Sequence, residues 1–118
     1  EEAMVGTIIP TARSTPKNLE QFIKDISIVA PKVASINKSG SACLDLCYVA
    51  AGRYDAYFAP NLSRWDISAG ALMVLEAGGY VADLANTKKY LESGSIVASN
   101  TAMFSVVMDM LKLARTNA

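Results

Sequence analysis

The sequence predicts an α/β layer fold on three observations. Helical stripes alternate with short strand-like runs along the chain. Two of the helices are apolar nearly all round, as helices covered on both sides are. Ser68, Ala69 and Gly70 in one of them are small enough for another backbone to approach closely. The 118 residues, 52% of them hydrophobic, suffice for one ordinary domain with its own core.

Each element has its own local reason. Thr15-Pro16 reads as an N-cap followed by a first-turn proline. Leu19, Phe22, Ile23, Ile26 and Ala30 then follow a helical stripe that Pro31 stops. Val33 to Asn37 is a short strand. Gly40-Ser41-Ala42 opens a second helix, running through Leu44, Leu46, Cys47, Val49 and Ala50 to Gly52 as a left-handed cap. Tyr54 to Phe58 alternates as a strand does and breaks at Pro60-Asn61. Asp66 starts a third helix, which Gly78-Gly79 ends. Tyr80 to Leu84 is strand-like, 85–94 a polar loop, and Ser95 to Ala98 a short buried strand. Ser99 or Asn100 caps the last helix, whose buried face is Met103, Val106, Val107, Met110, Leu111 and Ala114.

Composition excludes several kinds of chemistry. Eleven basic residues balance eleven acidic ones, so a broad electrostatic grip on nucleic acid is not expected. Histidine is absent, which removes the commonest general base and zinc ligand together. Cys43 and Cys47 lie four apart on one helix face. Without a second pair they read as reduced core thiols, which suits a cytoplasmic compartment. No apolar run approaches the roughly 18 residues of a membrane span, and no secretory signal pattern is present.

Among the acidic residues, Glu20, Asp25, Glu92 and Asp109 fall on polar faces or loops and read as solvated charge. Asp45 lies in the first turn of its helix, where the dipole favours it, and reads as structural. Asp66 stands where a loop, a strand end and a helix start converge. Two readings are open there: an N-cap for an apolar helix, or a hard-cation ligand held by that helix. Gly40-Ser41-Ala42 is similarly double, an ordinary helix start or free amides that grip an oxyanion or a sugar hydroxyl.

The stretch SGSACLDLCYVAAGRYDAYFAPNLSRWDISAGALMVLEAGGYVADL, with SGSIVASN beyond it, resembles the C-terminal half of the inositol monophosphatase family. The Trp-Asp that opens an Ala/Gly-rich helix ending Glu-Ala-Gly-Gly is the most specific part of that resemblance. The likeness covers essentially all 118 residues, and least distinctively the first dozen. It implies a layered α-β-α-β-α sandwich of which residues 1–118 form the C-terminal α/β portion. It further implies a Mg²⁺-dependent, lithium-sensitive phosphomonoesterase acting on a small phosphorylated substrate, usually as a homodimer, with two or three ions in the complete site. On this resemblance Asp66 would ligate a metal on the leaving-group side and touch substrate. Gly40, Ser41 and Ala42 would lie against the substrate hydroxyls.

The chain departs from the family pattern at three places. The signature Asp-Pro-x-Asp-Gly-Thr and an earlier metal-binding Glu are not in these residues, so most metal ligands and the water-activating group would come from an N-terminal half. No catalytic residue is therefore expected within the chain, and it should be inactive alone. Ala59 stands where many members carry a Glu that accepts a hydrogen bond from an inositol hydroxyl. Asn37-Lys38 keeps one of two basic residues frequent in bacterial members. The alternatives are a relative acting on fructose bisphosphate, adenosine 3′,5′-bisphosphate, histidinol phosphate or NADP, and a non-catalytic dimerising or regulatory module.

Overall fold

The structure, a computed structural model, describes residues 3–7, 16–37, 42–60, 62 and 64–116. Within two of its helices, α2 and α3 below, the side chains of Ala42, Cys43 and Asp66 fall outside that description, as do Thr15, Lys38, Gly40, Ser41 and Asn61 entirely. Five strands form one sheet: β1 (Met4–Thr7), β2 (Ser35–Asn37), β3 (Ala56–Ala59), β4 (Tyr80–Ala82) and β5 (Ile96–Ser99). Around it lie α1 (Pro16–Val29), α2 (Ala42–Ala50), α3 (Arg64–Glu76), the single turn α4 (Tyr90–Ser93) and α5 (Phe104–Thr116). The spatial order is β2-β1-β3-β5-β4. β1 pairs parallel with both β2 and β3, and β5 alone runs the other way.

Strand periodicity sorts the core into two layers. Tyr57, Ala59, Ile96 and Ala98 face Leu46 and Val49 of α2 and Ile67, Ala71 and Val74 of α3. The alternate residues Ala56, Phe58 and Val97, with Val5, face Val29 of α1 and Val107, Met108, Met110 and Leu111 of α5. The predicted α/β layering is thus observed, with helices on both faces of a mixed sheet.

Several sequence expectations shift in detail. β1 carries too few residues to show a period, and no element is predicted there; two parallel neighbours give it its place. Among the described side chains of α1, Asp25 and Val29 are buried, whereas Ile23 is 58% exposed and Ala30, just beyond the helix, is exposed; Leu19 lies outside the described side chains. Asp25 is therefore not solvated charge: it is 3% exposed and accepts a hydrogen bond from Gln21 Nε2 at 3.1 Å. On α5, Val106 turns outward and Met108 takes the buried place. Asn100, as expected of a cap, accepts from the backbone N of Met103 at 2.9 Å ahead of α5.

α2 and α3 pack exceptionally closely. A Cβ on Gly70 would stand 2.5 Å from Leu46 Cδ1 and 2.6 Å from its Cβ, so only glycine fits the contact. Cys47 Sγ lies 3.4 Å from Met73 Sδ. The carboxyl ends of both helices line one cleft of about 230 Å³ through Val49, Ala50, Val74 and Ala77. The two helices therefore run parallel.

Two polar clusters fix the remaining loops. Asp55 accepts from Met4 N at 2.8 Å and from Asn100 Nδ2 at 3.0 Å, which joins the starts of β1 and β3 to the end of β5. Asp83, after β4, accepts from Ala85 N at 3.0 Å, Thr87 N at 2.8 Å and Thr87 Oγ1 at 2.6 Å. Between these donors Asn86 takes φ 61°, a left-handed turn that Asn tolerates. Lys88 Nζ reaches back to the Val81 carbonyl of edge strand β4 at 3.3 Å. Burial pushes the Asp83 carboxyl up, but the hydrogen bonds from Thr87 and Ala85 outweigh it and hold it below the ordinary 3.8.

Gly70→Ala gains about 1 kcal/mol in helix propensity but forces Leu46 aside, at roughly 1–3 kcal/mol. We expect a net loss of up to about 2 kcal/mol in urea unfolding. Because the folded pKa of Asp83 is depressed, its stabilisation is present above the unfolded value of 3.8 and is lost as pH falls through the folded one. The stability gap between the protein and Asp83→Asn should accordingly close on acid titration below that value. A gap independent of pH would exclude this role.

Candidate functional site

The parallel strands β1, β2 and β3 end on the same side of the sheet. Four residues, 38–41, carry the chain from Asn37 to the start of α2, and four more, 60–63, carry it from Ala59 to the start of α3. Both helix amino ends therefore lie at the carboxyl edge of the parallel strands. From β1 the chain goes by way of α1 on one face to β2, then by way of α2 on the other face to β3. The order reverses about β1, and such a reversal opens a crevice at strand carboxyl ends where α/β sheets take ligands.

Ala42 and Asp66 are brought together by the helix packing. Leu46 and Gly70 are in register across the contact, and Ala42 and Asp66 each precede that point by four residues, roughly 6 Å up the helix. Asp66 is the third residue of α3, within the first turn and not at its cap, because the helix already begins at Arg64. A carboxylate there still meets the positive end of the dipole. Gly40 and Ser41 lie outside the described residues, immediately before Ala42.

The framework under these positions is tightly held. Thr7 Oγ1, at the end of β1, donates to the Phe58 carbonyl at 2.8 Å. Leu62 N donates to the Gly94 carbonyl at 2.6 Å, which anchors the connection ahead of α3. Ser68 Oγ donates to the Arg64 carbonyl at 2.7 Å in the first turn of α3. Ala59 closes β3 fully buried, within the apolar layer under α2 and α3. Trp65, beside Asp66, is 88% exposed.

Asp45 completes the site's electrostatics. It lies in the first turn of α2, 2% exposed, and accepts a hydrogen bond from the Tyr54 hydroxyl. Burial, then the Asp45 charge, then Tyr48, then that hydrogen bond, all push the Tyr54 phenol above its ordinary 10.0. Tyr54 was not among the residues singled out from the sequence. Its only signal there is an aromatic at the head of a strand, which does not reveal a partner nine residues upstream.

Asp66 offers hard carboxylate oxygen of the kind Mg²⁺ takes. Among the described residues no group of three or more His, Cys, Asp or Glu is assembled that could hold an ion. Also among the described residues, no helix is long and apolar enough to cross a membrane.

The sequence profile of the inositol monophosphatase family matches residues 2–113. The chain belongs to the inositol monophosphatase family. It is 42% identical over 112 residues to a Nus factor SuhB of Pseudomonas aeruginosa, covering 95% of this chain and 41% of that protein. It is 37% identical over 115 residues to an inositol-1-monophosphatase of Caulobacter vibrioides, covering 97% of this chain and 44% of that protein. The native crystal structure of the extragenic suppressor protein suhB from Bartonella henselae superposes with a TM-score of 0.88 at 34% identity. That alignment takes in 95% of this chain and 42% of that one. The chain thus spans about two-fifths of the length of the curated relatives it matches. Its mixed sheet with flanking helices is the inositol monophosphatase fold over that span.

Proposed function

We propose that these residues form the C-terminal half of a Mg²⁺-dependent phosphomonoesterase that works as a lithium-sensitive homodimer in the cytoplasm. The observation that carries the reading is the levelling of Ala42 and Asp66 at the carboxyl edge of the parallel strands, in a chain of this family. Two helix amino ends meeting there present positive dipole ends and free amides to a phosphate ester. Gly40, Ser41 and Ala42 line the substrate hydroxyls. Asp66 supplies one carboxylate to the metal, and α3 holds it in place. Mg²⁺, when bound, neutralises charge on the phosphoryl and departing oxygens.

One carboxylate does not saturate a magnesium ion, so the remaining ligands and the water-activating group come from residues beyond these 118, and the chain is inactive alone. The outward faces of α2 and α3 support the same view. Leu44, Trp65, Leu72, Met73 and Leu75 are 42%, 88%, 58%, 47% and 43% exposed, an apolar surface that a further layer of an α-β-α-β-α sandwich would cover.

The buried Ala59 favours a second substrate assignment. By the family resemblance it stands where many members carry a Glu that accepts from an inositol hydroxyl, and a methyl offers no acceptor. A sugar bisphosphate, adenosine 3′,5′-bisphosphate, histidinol phosphate or NADP is then the better ester. The Nus factor names of several relatives favour a regulatory role beside or in place of hydrolysis.

In the full-length protein, Asp66→Asn should lower Mg²⁺-dependent phosphate release on the order of a hundredfold or more, since it removes an anionic metal ligand. Near wild-type turnover would defeat the assignment. On a panel of phosphate esters, at least one should outpace inositol 1-phosphate. Preference for inositol phosphate over all the others would overturn the reading of Ala59.

A further inference from the structure

The carboxyl ends of α2 and α3 are built alike, at the far end of both helices from the candidate site. Each closes on a left-handed glycine, Gly52 at φ 80° and Gly78 at φ 86°. After α2, Gly52 N donates to the Val49 carbonyl at 3.1 Å and Arg53 N to that of Tyr48 at 2.8 Å. After α3, Gly78 N donates to the Leu75 carbonyl at 3.0 Å and Gly79 N to that of Val74 at 2.9 Å. This capping pattern uses the carbonyls further back and leaves those of Ala50, Ala51, Glu76 and Ala77 without a partner in either cap. Ala50 and Ala77 line the cleft of about 230 Å³ at which both helices end.

The electrostatics of this cleft are one-sided. Each helix carboxyl end carries about half a negative charge, so two parallel ends at one cleft sum to roughly one. A lysine or arginine in the last turn commonly offsets such an end, and neither helix has one. α3 ends instead on Glu76, which adds a like charge where the dipole disfavours it. Arg53, just past α2, holds its guanidinium 5.7 Å from the Tyr48 ring centroid, and neither residue lines the cleft. Nearby polar side chains are committed elsewhere. Ser99 Oγ donates to the Asn100 carbonyl at 2.8 Å, and Asn100 Nδ2 to Asp55 at 3.0 Å.

The walls decide which cation fits. Among the described residues no carboxylate lines the cleft, so it lacks the anionic oxygens that hold Mg²⁺. Val49, Val74 and the two alanines offer apolar surface suited to methylenes. The volume is below the roughly 300–1,000 Å³ of sites for drug-sized molecules. A short primary alkylammonium meets all of these conditions: one positive charge, N–H donors for carbonyls, and an apolar tail.

We propose that this cleft binds a short primary alkylammonium ion through the carbonyls that close α2 and α3. The site shares no residue with the phosphatase assignment and does not depend on it.

The test titrates the full-length protein with n-butylammonium chloride at constant ionic strength and follows backbone amide resonances, with butan-1-ol and MgCl₂ as comparisons. Resonances of residues 50–53, 77–79 and 100–101 should move saturably, with a Kd on the order of 1 mM, while those of 20–29 stay in place. Butan-1-ol and Mg²⁺ should leave them unmoved. Ala77→Lys supplies an ammonium from the chain itself and should abolish the response, whereas Ala77→Ser should keep Kd within about twofold. An equal response to butan-1-ol would make the cleft an apolar groove only and overturn the proposal. So would an equal response to Mg²⁺, shifts that do not saturate, or amides that do not move at all. Retained binding in Ala77→Lys would overturn it as well. Should that variant not fold, the titrations of the unaltered protein decide by the same criteria.

Discussion

The contact between Leu46 and Gly70 is the constraint on which the rest of the arrangement depends. With no side chain at 70, α3 can settle onto α2 at a distance any larger residue would forbid. Once they touch there, running the same way, their amino ends must stand level. Four residues of connection from β2 and four from β3 then suffice to bring both ends to the carboxyl margin of the sheet. Ala42 and Asp66 stand level because of this geometry.

What the sequence disclosed follows from how locally each feature is encoded. The spans of α2 and α3 were legible because glycines and small residues punctuate them, and Gly70 announced a close approach before any partner was visible. The proximity of residues 42 and 66 was not legible, since it needs the relative direction of two helices that local periodicity does not carry. β1 escaped notice because four residues with one polar member show no period. Asp25 was misjudged for a related reason: charge usually marks the outer face of a helix, and here a side-chain amide one turn away offsets its burial. The helix start at Arg64, two residues ahead of Asp66, shows that an acidic residue before an apolar run need not itself be the cap.

The two ends of the sheet are built on different terms. At the end remote from the candidate site, Asp55 gathers the start of β1 and the side chain of Asn100, which in turn caps the approach to α5. Every contact there is made within the chain. At the other end, the first amides of α2 and α3 have no partner within their own helices.

The Lys88 ammonium resting on the Val81 carbonyl has a bearing on assembly. A flat, bare strand border invites a stranger's backbone, and proteins commonly blunt it with a lysine. Here a positive charge sits on the outermost carbonyl row of β4, so intermolecular ribbon growth from that flank would have to displace it.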